Sequence, residues 1–409
     1  QGRPLLAQGL TTVVLNPDGG GPVDIAAQAA EFEAKGLGPN VALAIGHGSI
    51  RRAAMGMADR APTDAERETM RGLVRRAMEA GAFGLSSGLF YAPGSYADTG
   101  EVIDLMRVAG EFGGLHTSHI RDEGAAAGLL ASVDEIIRIA EATGTRGIVS
   151  HMKALGAESW GLSMAAVLRL EQARARGVEV FADQYPYTAS STSLVAALIP
   201  RWVEEGGGDA MRARLRDPAT LAKAMPEIVE NLRRRGGPES LVIAQYGPDH
   251  ALEGLSLGAI ARKAGVPPAQ AALDMVLRGN ASVVSFNMTE ADVDLIMRQP
   301  WTMSSSDGGL GFPEEGKPHP RRYGAFPRKL ARYVRDRSVV GLEFAIRSMT
   351  SLPAAVFGFT DRGTLRPGAV ADLVMFDLAE VQDTATYEDP HQIARGMALV
   401  VVNGAIVLE

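Results

Sequence analysis

Two histidines stand near the carboxyl ends of consecutive predicted strands. His119 ends "GGLHTSH" (113–119) and His151 lies in "RGIVSHMK" (146–153), while Asp307 follows a later strand in "WTMSSSDGG" (301–309). The carboxyl ends of barrel strands meet at one face, which is where barrel active sites lie. Two imidazoles and a carboxylate that converge there can hold one divalent ion, and zinc accepts such ligands. The alternative is that each histidine is an ordinary hydrogen-bonded residue of the core or of a loop.

His116 precedes His119 by three residues. In a strand this spacing places the two side chains on opposite faces. We therefore expect His119 to point into the mouth of the barrel and His116 to pack toward a helix, without contacting the same ion.

Two further stretches carry candidate substrate ligands. "YPYTASST" (185–192) places Tyr185 and Ser191 just after a predicted strand, although aromatic packing in a turn is the alternative. "PHPRRYG" (318–324) carries Arg321, which can bind a carboxylate through two parallel hydrogen bonds, unless the stretch is simply a solvated basic loop.

Strands and helices alternate strictly through the first half of the chain. Such alternation with apolar strands predicts a parallel sheet covered by helices. A (β/α)₈ barrel is favoured over a doubly wound sheet, because no glycine-rich phosphate loop follows any strand. The predicted strands are 9–16, 40–48, 82–88, 113–119, 146–153, 178–187 and 301–309, and the predicted helices are 22–36, 62–81, 98–112, 130–143 and 161–177.

The alternation breaks near residue 200, where charged helical sequence begins. We predict a barrel domain over 1–363 that contains an inserted helical subdomain at about 200–300. Short strands with glycine turns over 364–409 predict a small β-domain half.

Composition excludes several classes of function. The chain has 409 residues, a net charge of −7 and no cysteine, so disulfides and thiolate metal sites are excluded. No basic stripe or long Lys/Arg run stands out, and no apolar run approaches the ~20 residues of a membrane span, so neither nucleic acid nor a membrane is an expected partner. A cytoplasmic location is expected. A periplasmic or secreted location is the alternative, because "QGRPLLAQGL" begins without Met or a signal peptide and we expect further residues upstream.

Taken together, these stretches resemble the N-acyl-D-amino-acid deacylases (D-aminoacylases) of the amidohydrolase superfamily. The resemblance runs over nearly the whole chain, and its fold is a (β/α)₈ barrel with a small β-domain built from both chain ends. The motifs that carry it are "QGLTTVV", "GHGSIR", "GLSSGLFYAPGSYADTGEVIDL", "HTSHIRDE", "VSHMKALG", "DQYPYTASST", "SSDGG", "PHPRRYGAFPRKL" and "MTSLPAAVFGFTDRGTLRPGAVADLVMFD".

The resemblance implies an enzyme that uses zinc to hydrolyse the amide bond of N-acyl-D-amino acids, releasing a carboxylic acid and a D-amino acid. His119 and His151 would hold one tightly bound zinc ion, and Asp307 would be the base that activates water. Arg321 would hold the carboxylate of the small-molecule substrate. The positions that match family residues near the substrate are Tyr91, Lys153, Tyr185, Ser191 and Arg321.

The chain departs from the family pattern at two places. Asp18, in "NPDG", stands where many members have a cysteine ligand, and it would bind zinc through oxygen. No His-x-His pair occurs, although the family's first strand carries one that binds a second, weaker metal ion.

The chain thus matches the family's second to eighth barrel strands. We expect about 60–80 further N-terminal residues, lost by truncation or supplied by a second chain. The alternatives in function are a cyclic-amide hydrolase, a dipeptidase-like amidohydrolase, or an inactive truncated ligand-binding remnant. The oligomeric state is also undecided by the sequence, and a homo-oligomer is one alternative.

Overall fold

The protein is described by a computed structural model that covers residues 2–124, 126–309 and 315–409. Its strands are β1 (Thr12–Leu15), β2 (Asn40–Leu43), β3 (Ile45–Gly46), β4 (Gly84–Gly88), β5 (Leu115–His119), β6 (Gly147–Val149), β7 (Val180–Gln184), β8 (Ser190–Ser193), β9 (Leu241–Gln245), β10 (Ser282–Ser285), β11 (Thr302–Ser304), β12 (Leu373–Phe376), β13 (Met397–Val402) and β14 (Ala405–Leu408).

Helices fill the connections between the strands. They are α1 (Arg3–Leu6), α2 (Ile25–Lys35), α3 (His47–Met55), α4 (Asp64–Glu79), α5 (Thr99–Gly110), α6 (Ala126–Thr143), α7 (Ser163–Ala175), α8 (Leu194–Leu198), α9 (Gly208–Arg216), α10 (Pro218–Arg234), α11 (Leu257–Ala264), α12 (Pro268–Arg278), α13 (Glu290–Met297), α14 (Arg321–Arg328), α15 (Leu342–Met349) and α16 (Ser351–Phe357).

The parallel strands form the wall of a barrel. Hydrogen bonds join them in the order β11-β7-β6-β5-β4-β3, and β1 pairs with β2 in parallel. Only Ala44 separates β2 from β3, and its N–H donates to the Leu15 carbonyl at 3.2 Å, so the two parts are continuous. The predicted barrel is therefore confirmed. In the part of the chain that the structure describes, β1 and β11 are the two edges and do not pair with each other.

Local sequence explains where the barrel helices begin. Thr63 caps α4: its Oγ1 accepts the Glu66 N–H at 3.3 Å, and the Glu66 carboxylate accepts the Thr63 N–H at 2.7 Å. This reciprocal pair satisfies two amides that the helix itself leaves without partners. The predicted strand 40–48 ends earlier than expected, at Gly46, because α3 begins at His47.

Residues after β7 form a unit with its own core. Strands β8, β10 and β9 make an antiparallel sheet, and helices α8 to α12 pack on it. Its buried side chains include Leu198, Ile228, Ile243 and Val283, in a cluster distinct from the barrel core. The sheet starts at Ser190, about ten residues before the predicted insertion. The division into domains stays a prediction.

The last strands form the small antiparallel sheet β12-β13-β14, so the predicted small β element follows the barrel. Leu6 of α1 packs against Val400 and Val402 of this sheet, and the Gln8 side-chain amide donates to the Arg322 carbonyl at 2.8 Å. These first residues therefore connect the small sheet to helix α14, which begins at Arg321.

No helix among the described residues is both long enough and apolar enough to cross a bilayer.

Candidate metal centre and substrate pocket

Asp18, His119 and His151 converge at the carboxyl ends of the barrel strands. Asp18 follows β1, His119 ends β5 and His151 follows β6, and one potential ligand atom from each lies within 4.8 Å of the others. His119 Nδ1 is 2.8 Å from His151 Nε2, which is 3.4 Å from Asp18 Oδ1. The structure thus brings together the three residues that the sequence predicted as metal ligands.

These donors fit a zinc ion. Asp18 Oδ1 and His119 Nε2 are buried without a hydrogen-bond partner among the described residues, and buried polar atoms are normally satisfied. A cation held by Asp18, His119 and His151 would satisfy the Asp18 oxygen. Two imidazole nitrogens and a carboxylate oxygen are an established zinc donor set that leaves a fourth position open.

The protonation of the two imidazoles agrees with a cation site. Burial lowers the pKa of His119 to about 3, so the ring is neutral and can act as a ligand. Burial and Lys153 would also lower the pKa of His151, but Asp18 and Asp307 outweigh them and raise it to about 10. The two carboxylates therefore favour a positive charge at this position, and a bound metal ion can supply it instead of a proton.

Three site residues have a left-handed backbone. The φ angles are +55° at Asp18, +36° at His151 and +46° at Asp307. Non-glycine residues adopt this conformation at a cost of about 1–3 kcal/mol, and such positions cluster at functional sites. Asp183 helps to hold one of them, because its Oδ1 accepts the His151 backbone N–H at 2.9 Å. Sequence reasoning missed Asp183, although it lies on a predicted strand.

Asp307 forms an ion pair with Arg321. Arg321 Nη1 lies 2.8 Å from Asp307 Oδ2, and its guanidinium carbon lies 4.5 Å from the centre of the Tyr185 ring. Arg321 is buried, so this charge is paired inside the protein rather than solvated. The structure therefore joins two predicted site residues directly.

Lys153 and Glu123 contact the second ring nitrogen of the predicted metal ligand His151. Lys153 Nζ is 2.8 Å from His151 Nδ1 and 2.5 Å from Glu123 Oε1, and that oxygen is 3.1 Å from His151 Nδ1. Burial alone would raise the pKa of Glu123, but Lys153 and His119 hold it well below its ordinary value. Sequence reasoning gave Glu123 no role. Its signal was its place four residues after His119 in "HTSHIRDE".

The other predicted residues line the same pocket. The Tyr91 ring lies 4.7 Å from the His119 ring, and its hydroxyl is 3.2 Å from Thr192 Oγ1. Ser191 lies on β8 at the edge of the inserted unit. All nine predicted residues border this pocket: Asp18, Tyr91, His119, His151, Lys153, Tyr185, Ser191, Asp307 and Arg321. Their individual roles stay predictions.

His116 and His47 lie outside the group of ligands. His116 Nε2 is 2.9 Å from Ser87 Oγ of the neighbouring strand β4, so its nearest polar partner is in the sheet rather than on a helix. His47 Nε2 is 2.7 Å from Glu101, which also binds Arg51, and all three are buried. This second cluster ties α3 to α5.

Comparison with known proteins identifies the family to which the chain belongs. The model of the Amidohydrolase family matches residues 34–408. The chain belongs to the amidohydrolase family. This match includes every predicted site residue except Asp18.

Relatives of known activity cover most of the chain. It is 36% identical to the N-acyl-D-glutamate deacylase of Alcaligenes xylosoxydans xylosoxydans, over 99% of this chain and 75% of that protein. It is 35% identical to the D-aminoacylase of the same organism, over 90% of this chain and 67% of that protein.

A solved structure is similar in both fold and sequence. This structure is N-acyl-D-glutamate deacylase from Bordetella bronchiseptica, complexed with zinc and a phosphonate inhibitor that mimics the tetrahedral intermediate. It matches with a TM-score of 0.84 and 36% identity, over 99% of this chain and 81% of that one.

Proposed function

We propose that this amidohydrolase hydrolyses the amide bond of N-acyl-D-amino acids and releases a carboxylic acid and a D-amino acid. The observation that carries the proposal is the meeting of a three-ligand metal centre and the Asp307–Arg321 ion pair in one pocket. Relatives that carry this activity in their names support it.

Asp18, His119 and His151 would hold one zinc ion tightly. When bound, zinc polarises the amide carbonyl and lowers the pKa of water from near 16 to about 7. Lys153 and Glu123 fix the orientation of the His151 ring through its other nitrogen, as outer-shell partners of metal ligands commonly do.

Asp307 would move the proton. Its carboxylate borders the same pocket as His151 and could accept a proton from the attacking water, then return it to the leaving amine nitrogen. The amine departs as a free amino group, and the water oxygen stays with the acyl carbon. Tyr185 would donate a hydrogen bond to the oxyanion, because burial raises the pKa of its hydroxyl and keeps the proton in place.

Arg321 would bind the α-carboxylate of the substrate. In the structure its partner is Asp307, so a bound carboxylate would compete with Asp307 for the same guanidinium. Substrate binding would then release Asp307 to act as a base. This exchange would couple substrate binding to catalysis.

The test is hydrolysis by the purified protein loaded with one equivalent of zinc. We expect release of free amine from N-acetyl-D-amino acids and not from their L enantiomers or from hydantoins. Equal rates on both enantiomers, or turnover of the cyclic amide alone, would contradict the proposal.

A further inference from the structure

His319 makes a hydrogen bond through each of its two ring nitrogens. Its Nδ1 accepts the backbone N–H of Arg321 at 3.0 Å, and its Nε2 lies 2.9 Å from the carbonyl oxygen of Ala189. A carbonyl oxygen can only accept and a backbone N–H can only donate, so the ring hydrogen must be on Nε2. The two partners therefore select one neutral tautomer of a ring that is buried.

Local sequence explains why this ring meets the start of α14. Pro320 follows His319 and has no N–H, so Arg321 carries the first backbone donor of the helix. A helix leaves its first N–H groups without internal partners, and the His319 ring satisfies this one. A residue before proline also prefers extended backbone, which keeps His319 itself outside the helix. His319 therefore caps the helix that begins with the predicted ligand of the substrate carboxylate.

The same ring connects the two units that enclose the pocket. Ala189 directly precedes β8, the strand of the inserted unit that carries Ser191. Arg321 lies on the other side of the ring and forms the ion pair with Asp307 of the barrel wall. The bonds of His319 therefore hold the start of α14 at one distance from the wall that carries Ser191.

Aromatic packing holds the His319 ring in this position. The centres of the Tyr187, Tyr387 and Tyr185 rings lie 5.1, 5.2 and 6.0 Å from its centre. All three meet it edge to face, an arrangement that aromatic rings favour. Burial and the nearby charge of Arg321 hold the pKa of His319 well below its ordinary value, so the ring stays neutral at neutral pH.

Another histidine shows what is particular to His319. His391 also contacts α14, because its Nδ1 lies 2.9 Å from the Tyr323 hydroxyl, and its Nε2 lies 3.0 Å from the Gly316 carbonyl oxygen. His391 is exposed, and its bond to the helix reaches a side chain. His319 instead bonds the backbone of the residue whose guanidinium lies in the pocket.

We infer that His319 is a positioning residue: its ring fixes the start of α14 against β8 and so sets where Arg321 meets the α-carboxylate of the substrate. This inference rests on the proposed function and adds a residue that acts through Arg321 rather than on the substrate. Its contribution should appear in the binding of a free α-carboxylate and not in the chemical step.

His319→Phe in the zinc-loaded enzyme keeps an aromatic ring and removes both hydrogen bonds. For N-acetyl-D-glutamate we expect KM to rise about 3- to 10-fold at nearly unchanged kcat, the usual net value of such hydrogen bonds. For the same compound with its α-carboxyl group as a primary amide, kcat/KM should stay within about twofold of the parent, because Arg321 has no carboxylate to bind. His391→Phe is the matched control and should change neither substrate.

Two further variants separate positioning from general packing. The side-chain oxygen of His319→Asn stands at the position of Nδ1, so it can accept the Arg321 N–H while the bond to Ala189 is lost. Its KM should lie between those of the parent and His319→Phe. His319→Phe combined with Arg321→Gln should raise KM no further than Arg321→Gln alone, because the first residue acts through the second.

Equal losses on the two substrates in His319→Phe, or additive losses in the double variant, would overturn the inference and give His319 a purely structural role. Nitrogen-15 NMR of the parent tests the bonds even if His319→Phe fails to fold. We expect a neutral ring with its hydrogen on Nε2 between about pH 6 and 8. A protonated ring or the opposite tautomer would contradict the inference, since neither can accept the Arg321 N–H. If the parent hydrolyses neither substrate, the proposed function fails and this inference with it, even where the ring has the expected tautomer.

Discussion

The two walls of the pocket are built in different ways. The barrel wall presents Asp18, His119, His151 and Asp307 from strand ends, and its cations are paired: Arg321 with Asp307, and Lys153 with Glu123. The wall from the inserted unit presents Ser191 and Arg235, and Arg235 forms no ion pair with a described carboxylate.

This difference in charge pairing bears on catalysis. A dense set of mutually paired charges holds reacting groups in fixed positions, as preorganised catalysis requires. On the opposing unit Arg235 forms no ion pair with a described carboxylate, so that wall is less constrained by internal ion pairs. The barrel wall should therefore have the larger effect on whether the reaction occurs.

Among changes to the barrel wall, removal of a metal ligand should cause the largest loss of activity. His119→Ala should lose zinc and all measurable turnover, because two remaining ligands cannot hold the ion. Metal content after dialysis and the rate on N-acetyl-D-glutamate check this. His116→Asn is the control and should keep its zinc. If both variants lose zinc equally, His119 is not specifically a ligand.

Asp307→Asn should separate binding from chemistry on the same wall. The amide cannot accept a proton, so kcat should fall about 10²- to 10⁴-fold while zinc is retained. Single-turnover rates and metal analysis measure the two quantities independently. A near-normal kcat would remove Asp307 from proton transfer.

Arg321→Gln tests the cation of the barrel wall. We expect KM to rise about 10- to 100-fold for substrates with a free α-carboxylate, since a charge-assisted contact is lost. Substrates whose α-carboxyl group is an amide should change little. An equal effect on both kinds would mean that Arg321 mainly positions Asp307.

Glu123→Gln should weaken the support of His151 without removing a ligand. Loss of an outer-shell partner usually lowers metal affinity about 10- to 100-fold. Competition with a chelator measures the zinc affinity, and the rate at saturating zinc should stay near that of the parent. Unchanged affinity would show that Lys153 alone orients the imidazole.

Thr63→Ala should have the smallest effect, a modest loss of stability, because Thr63 lies in neither wall of the pocket. Loss of the α4 cap should lower the free energy of unfolding by about 1 kcal/mol. Denaturant unfolding measures this, and kcat/KM should not change. A clear loss of activity would show that α4 transmits strain to the pocket.

Much of the barrel wall could be predicted from the sequence. Strand and helix periodicity placed His119 and His151 near the ends of neighbouring strands and Asp307 after a later one, and parallel strands bring such ends to one face. Family motifs then indicated Asp18, Tyr91, Lys153, Tyr185, Ser191 and Arg321, all of which border the pocket. These signals are local, because each depends on a short stretch and its position in a repeating pattern.

Tertiary structure alone decided which charges meet. Glu123 and Lys153 are 30 residues apart, and Arg235 lies in a separate unit that reaches the metal pocket only after the chain has folded. Periodicity shows which face of an element is buried, but not which distant side chain will lie against it. Whether a buried charge finds a partner depends on that packing, and here it leaves Arg321 paired and Arg235 free of any described carboxylate.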